Sequence, residues 1–115
     1  MFIGHVREKE EVTVNLPGAA GVTKQSLIGP AEGWAGWVMR QFTLAPGGFT
    51  PRHQHPWPHI NYVVAGAGQL YLEDQEYQLE PGTIAYIPGG AEHQFLNTGT
   101  KALIFLCIVP EEGDR

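Results

Sequence analysis

Three of the five histidines in this sequence fall within seven residues, at His53, His55 and His59, and another, His93, lies downstream. Neutral imidazole is the commonest metal ligand among side chains, so clustered histidines first raise metal chemistry. Side chains alternate faces along an extended strand, and the i, i+2 spacing of His53 and His55 therefore points both rings the same way. Two such nitrogens make half of a metal site. Pro56 and Pro58 cannot donate to a sheet ladder, so the chain is expected to turn at HPWPH and to begin a new strand near His59. Pro88-Gly89-Gly90 reads as a tight turn that sets His93 at the head of a further strand. A single histidine is more often a surface group or a hydrogen-bond partner, and His5 in the charged N-terminus is read that way. His53, His55, His59 and His93 are read together as ligands of one divalent ion.

Four neutral imidazoles would leave the full charge on the ion and attract an anionic substrate. They suit borderline metals such as Mn, Fe, Ni, Cu or Zn better than Mg or Ca. A zinc closed by four histidines would be structural. An octahedral ion would keep positions open for water, dioxygen or a chelating substrate. The two-histidine, one-carboxylate pattern of non-haem iron oxygenases is absent, and no carboxylate–histidine pair or activated nucleophile accompanies the cluster.

The glycines, prolines and Asn97 around these histidines form two spaced motifs. Gly47, His53, His55 and Gly66 match G-x5-H-x-H-x3-4-E-x6-G, with His59 standing in the position of Glu. Gly82, Pro88, Gly90, His93 and Asn97 match G-x5-P-x-G-x2-H-x3-N in full. On these residues the stretch 38–110 resembles the cupins, and looks most like the small single-domain, four-histidine bacterial cupins, some of which hold manganese. The resemblance implies an all-β double-stranded β-helix, a jelly-roll barrel, whose mouth holds one divalent transition metal. Manganese leads, with Fe, Ni, Cu or Zn as alternatives. The leading function is that of a metalloenzyme acting on a small organic molecule by oxygen- or peroxide-dependent oxidation, with metal-dependent lyase or isomerase chemistry next. The other class is a non-catalytic module that holds a small ligand or a metal.

The elements that must position the ligands are short. Fifteen glycines and nine prolines cut 115 residues into brief apolar runs, enough for one domain with a core. The organisation expected is an N-terminal arm at 1–11, a barrel at 12–110 and a solvated tail at 111–115. Strands are expected at 12–16, 22–28, 34–44, 60–65, 69–73, 76–79, 83–87, 93–96 and 102–109, with a hairpin turn at Asp74-Gln75. If His59 and His93 face inward, strand parity carries Asn61 and Phe95 into the pocket. The last strand is apolar on both faces, and the resemblance turns Leu103, Phe105, Cys107 and Val109 towards the metal. Arg40 interrupts an apolar strand, and either pairs with a surface carboxylate or enters the pocket. Cys107 either faces the cavity or packs as a small hydrophobe. Trp57 is expected to shield the mouth.

Seven basic against twelve acidic residues give a formal net charge of -5, which argues against nucleic acid and anionic membrane as partners. The sequence has no long apolar run and no leader pattern, and one cysteine suits a reducing compartment, so a cytoplasmic protein is expected. The apolar N-terminal strands at 12–16 and 22–28 would need a partner sheet, which predicts a homodimer.

Overall fold

Turns rich in glycine and proline leave the apolar runs between them free to pair. The computed structural model describes residues 1–114, and nine antiparallel strands organise them. The first half holds β1 (Val12–Thr13), β2 (Ala20–Ile28), β3 (Trp37–Phe49) and β4 (His59–Ala65). The second holds β5 (Gly68–Leu72), β6 (Gln75–Leu79), β7 (Ile84–Ile87), β8 (His93–Leu96) and β9 (Leu103–Pro110). Their hydrogen-bonded order is β6-β5-β8-β3-β9-β4-β7, with β2 on β3 and β1 on β2. Strands distant in sequence thus lie side by side in a curled sheet, the double-stranded β-helix expected.

The long strand β3 organises this sheet, since it pairs with β2, β8 and β9. Register then fixes which side chains meet, because paired residues share a face. Arg40 lies opposite Cys107, and Cys107 opposite Asn61, so three polar side chains form one inward row across β3, β9 and β4. Phe42, Phe105 and Val63 form the next row. The inner faces close on a core that includes Leu44, Val63, Leu70, Ile87 and Leu103. Burying each such side chain contributes about 1.5–3 kcal/mol. The rings of Phe95 and Phe105 stack at 4.2 Å within it.

Several local expectations are corrected. The hairpin turns at Glu73-Asp74, not Asp74-Gln75, and both turn residues have positive φ, 46° and 65°. Asp74 is stabilised there by the Tyr71 hydroxyl, which donates to it at 2.8 Å. Strand β3 continues through Pro46-Gly47-Gly48, where a break was expected. The register slips between Ala20 and Val22 of β2, and this bulge absorbs the proline and glycines. Only Val12–Thr13 of the first expected strand is paired as β1. The N-terminal arm is tied down: the Gln25 side-chain amide donates to the carbonyls of Val6 and Lys9, at 2.9 and 3.1 Å. The tail also folds back, through a 3-10 turn at Glu111–Gly113 and ion pairs from Asp114 to Lys24 and Arg40. Arg115, the last residue of the expected tail, lies outside the described residues. No helix among the described residues is long and apolar enough to cross a membrane.

Candidate metal centre

The histidines are gathered by backbone pairing between two loops. His53 and His93 form an isolated antiparallel bridge, each N–H donating to the other's carbonyl, at 3.1 and 2.9 Å. Two residues on, the carbonyl of His55 accepts the Gly90 N–H at 2.7 Å, which clamps the HPWPH loop against the Pro88-Gly89-Gly90 turn. Gly89 is required by this clamp, since a Cβ there would collide with the carbonyl group of Pro56. His53 and His55 therefore lie in loop and bridge, not on one continuous strand as the spacing suggested. His59 opens β4 and His93 opens β8.

The ligand atoms of His53, His55 and His93 all lie within 4.8 Å of one another. His59 joins through His93, with 3.2 Å between the two Nε2 atoms. Three of the outer nitrogens are already committed. Nδ1 of His55 is 2.9 Å from the Trp57 carbonyl, Nδ1 of His93 is 2.9 Å from the Ala91 carbonyl, and Nδ1 of His59 is 2.7 Å from Oδ1 of Asn61. The Asn61 amide is itself oriented, because its Nδ2 donates to the Leu106 carbonyl at 3.2 Å. A carbonyl oxygen only accepts, so each Nδ1 carries the proton and each Nε2 presents a bare lone pair. This outer support of imidazole is what metal-ligating histidines need.

Burial disfavours the charged form of His53, His59 and His93. It is the main cause that lowers His59 to about 3, with the nearby His93 adding to it. Burial likewise lowers His93 to about 4 against the opposing pull of the Ala91 carbonyl, and it lowers His53. Two unprotonated Nε2 atoms at 3.2 Å cannot hydrogen-bond to each other. Their lone pairs repel unless a cation lies between or beside them. The donor set therefore fits a divalent transition ion, and no carboxylate enters it.

The four histidines form part of the wall of a cavity of about 370 Å³. Of the residues expected to line the pocket or face the metal, Asn61, Phe95, Phe105, Cys107 and Arg40 border the cavity, whereas Leu103 and Val109 do not. Strand β9 turns its odd-numbered residues inward, where Leu103, Phe105, Cys107 and Val109 are buried. Trp57 lines the mouth and stacks on His55 at 4.9 Å. Three contributions were missed. Val12, Val14 and Leu16 line the cavity from the N-terminal side, and their alternation was a readable sign of an inward face. Phe42 was reachable by parity from Arg40. The ion pairs of Asp114, from a tail expected in solvent, had no sequence signal.

A family model, described as Cupin domain, matches residues 40–109, more than half of the chain and all four histidines. The chain is a cupin. It is 32% identical over 94 residues to 1-methylthio-D-xylulose 5-phosphate methylsulfurylase of Rhodospirillum rubrum, covering 82% of this chain and 59% of that protein. It is 36% identical over 73 residues to glucose-6-phosphate isomerase of Thermococcus kodakarensis, covering 56% of this chain and 39% of that one. The cupin thus spans well under two thirds of the length of these curated relatives. Among solved structures it is similar to the polyketide cyclase RemF from Streptomyces resistomycificus, with a TM-score of 0.89 and 32% identity, over 96% of this chain and 79% of that one.

Proposed function

We propose that this cupin is a mononuclear metalloenzyme acting on a small, largely apolar organic molecule that presents oxygen to the ion. The observation that carries the proposal is the unprotonated Nε2 pair of His59 and His93, 3.2 Å apart and backed by carbonyl acceptors at both Nδ1 atoms. His53, His55, His59 and His93 would hold the ion, with manganese first among Mn, Fe, Ni, Cu and Zn. When bound, it supplies Lewis-acid polarisation of a substrate oxygen and a binding position for a second small ligand. The chain's own residues do the rest. Phe42, Phe95 and Phe105 offer an apolar wall for a flat carbon skeleton, and Trp57 covers the mouth beside His55. Asn61 holds the ring of His59 in place.

The aromatic lining suits a polyketide-like skeleton better than a bare sugar phosphate, and the similarity to a polyketide cyclase over nearly the whole chain supports that substrate class. Polarisation at a carbonyl oxygen serves cyclisation and isomerisation alike. Oxidation by oxygen or peroxide is the second reading, favoured by an all-nitrogen donor set that accepts redox-active Mn, Fe or Cu. Elemental analysis of the purified protein, then turnover of aromatic polyketide substrates with oxygen consumption recorded, tests both. Metal with oxygen uptake supports oxidation, and metal with product but no uptake supports cyclisation or isomerisation. Metal with no turnover leaves a binding module. Absence of metal overturns the proposal.

A further inference from the structure

Beside the histidines, the same cavity contains a buried charge that the described residues balance only in part. Arg40 is 8% exposed and borders the cavity in the row that also holds Cys107 and Asn61. A guanidinium has several N–H donors, all needing acceptors when buried. Nη2 donates to Sγ of Cys107 at 3.1 Å, a weak acceptor. The pairing of Nη1 with Asp114 Oδ1 is longer, 3.6 Å. That oxygen is shared with Lys24 Nζ at 3.3 Å. Nε is buried with no partner among the described residues. Burial raises the Cys107 thiol, so no thiolate offsets the guanidinium. Two cations, Lys24 and Arg40, thus share one carboxylate, and both border the cavity.

We propose that Arg40 is the receptor for an anionic oxygen of the substrate, a carboxylate or an enolate, and that Asp114 is the internal counter-ion which this group displaces. The assignment rests on the cavity being the substrate site and adds the charge of what binds there. The geometry suits an exchange. Asp114 lies on the C-terminal 3-10 turn, its side chain about a quarter exposed, and can swing out without breaking a strand. The preceding Gly113 packs so closely on Trp57 that a Cβ there would lie 2.6 Å from the indole Nε1. The counter-ion and the aromatic cover of the mouth therefore sit on one contact. The ring of Phe42, 5.0 Å from the guanidinium carbon, holds Arg40 against the wall while leaving its donors to the ligand.

Calorimetric titration of the full chain with benzoate and with benzamide, a neutral probe of the same shape, tests the assignment. It is run on the protein as purified and after chelator treatment, so that anion binding by a metal is separated from binding by Arg40. Benzoate is expected to bind at least about tenfold more tightly than benzamide in both forms. Arg40→Gln should erase that preference and leave benzamide binding unchanged. Asp114→Asn should tighten benzoate binding several-fold, and decides the matter if Arg40→Gln fails to fold. Equal affinities for the two probes, failure of either to bind at millimolar concentration, a preference that survives Arg40→Gln, one seen only with metal present, or no change in Asp114→Asn would each overturn it. Absence of metal from the purified protein would defeat the metalloenzyme proposal and leave this titration untouched.

Discussion

The Nε2 atoms of His59 and His93 face each other at 3.2 Å, and each ring is held from behind by a carbonyl oxygen at Nδ1. Neutral rings held this way have no Nε2–H to place between them, whereas a shared cation would fit there, with measurable consequences.

Loss of His93 should be the most damaging single change, since its ring touches those of His53, His55 and His59, with centroids 4.8–4.9 Å away. His93→Ala is expected to leave the purified protein without bound metal in elemental analysis. His59→Glu should retain more metal than His59→Ala, because a carboxylate restores a ligand at the position where the cupin motif has Glu. In thermal melts, metal at a hundredfold excess over Kd should stabilise wild type by about 2.7 kcal/mol and His93→Ala by close to none. Full metal retention in His93→Ala would remove the site.

Asn61 makes no contribution as a ligand in this arrangement, yet it fixes the tautomer of His59. Asn61→Leu should weaken metal affinity by about 10- to 100-fold while the barrel stays folded. Titration against a competing chelator measures this, and circular dichroism checks the fold. Unchanged affinity would mean that His59 needs no support from behind.

The pH dependence follows from burial. His59 and His93 are held near 3 and 4 in the folded chain, against about 6.5 when unfolded. Below pH 6.5 the unfolded chain therefore binds protons that the folded chain refuses, so acid favours unfolding. For the metal-free protein, stability is fully present above pH 6.5 and falls by up to about 1.4 kcal/mol per pH unit for each ring, until the folded values are reached. Urea melts at pH 7, 6, 5 and 4 give the slope, and His59→Phe should reduce it by the share of one ring. The ordinary imidazole range suggests metal release below pH 6. Depressed rings predict retention at pH 5, and dialysis followed by elemental analysis distinguishes the two.

The histidine cluster was legible because metal chemistry demands particular residue types at particular spacings, and the turns that position them use glycine and proline. Parity carried Asn61 and Phe95 to the cavity, since a strand with one face inward leaves no other choice, whereas the last strand is apolar on both faces and only the family resemblance turned Phe105 and Cys107 inward. Arg40 stood between two readings because a strand records which face a residue shares and not what covers that face. It is covered by Asp114, 74 positions downstream, through an ion pair that no local pattern encodes. Strand β3 was cut short in the sequence because proline and glycine usually end strands, whereas here a bulge against β2 accommodates them. The hairpin was misplaced by one residue, since Glu73 adopts positive φ without glycine's help.

The expected homodimer has a second candidate surface besides the N-terminal strands. Strand β2 is paired to β3, and Val12, Val14 and Leu16 border the cavity of their own barrel, with Val12 and Leu16 still 47 and 51% exposed. A further exposed apolar face lies on β4 and β7, where Ile60 faces Tyr86 and Tyr62 faces Ile84 across the sheet. These four are 53, 64, 47 and 74% exposed, and no charged side chain interrupts them. Strand β7 also ends the hydrogen-bonded order of the sheet, so its outer edge offers unpaired backbone groups. A second copy could bury this face two-fold against itself. Light scattering at micromolar concentration should then give twice the 12.6 kDa chain mass. The double variant Ile84→Lys, Tyr86→Lys should give a monomer with its metal content intact, because both side chains point away from the histidines. A wild-type mass of one chain would show that this face stays open to water.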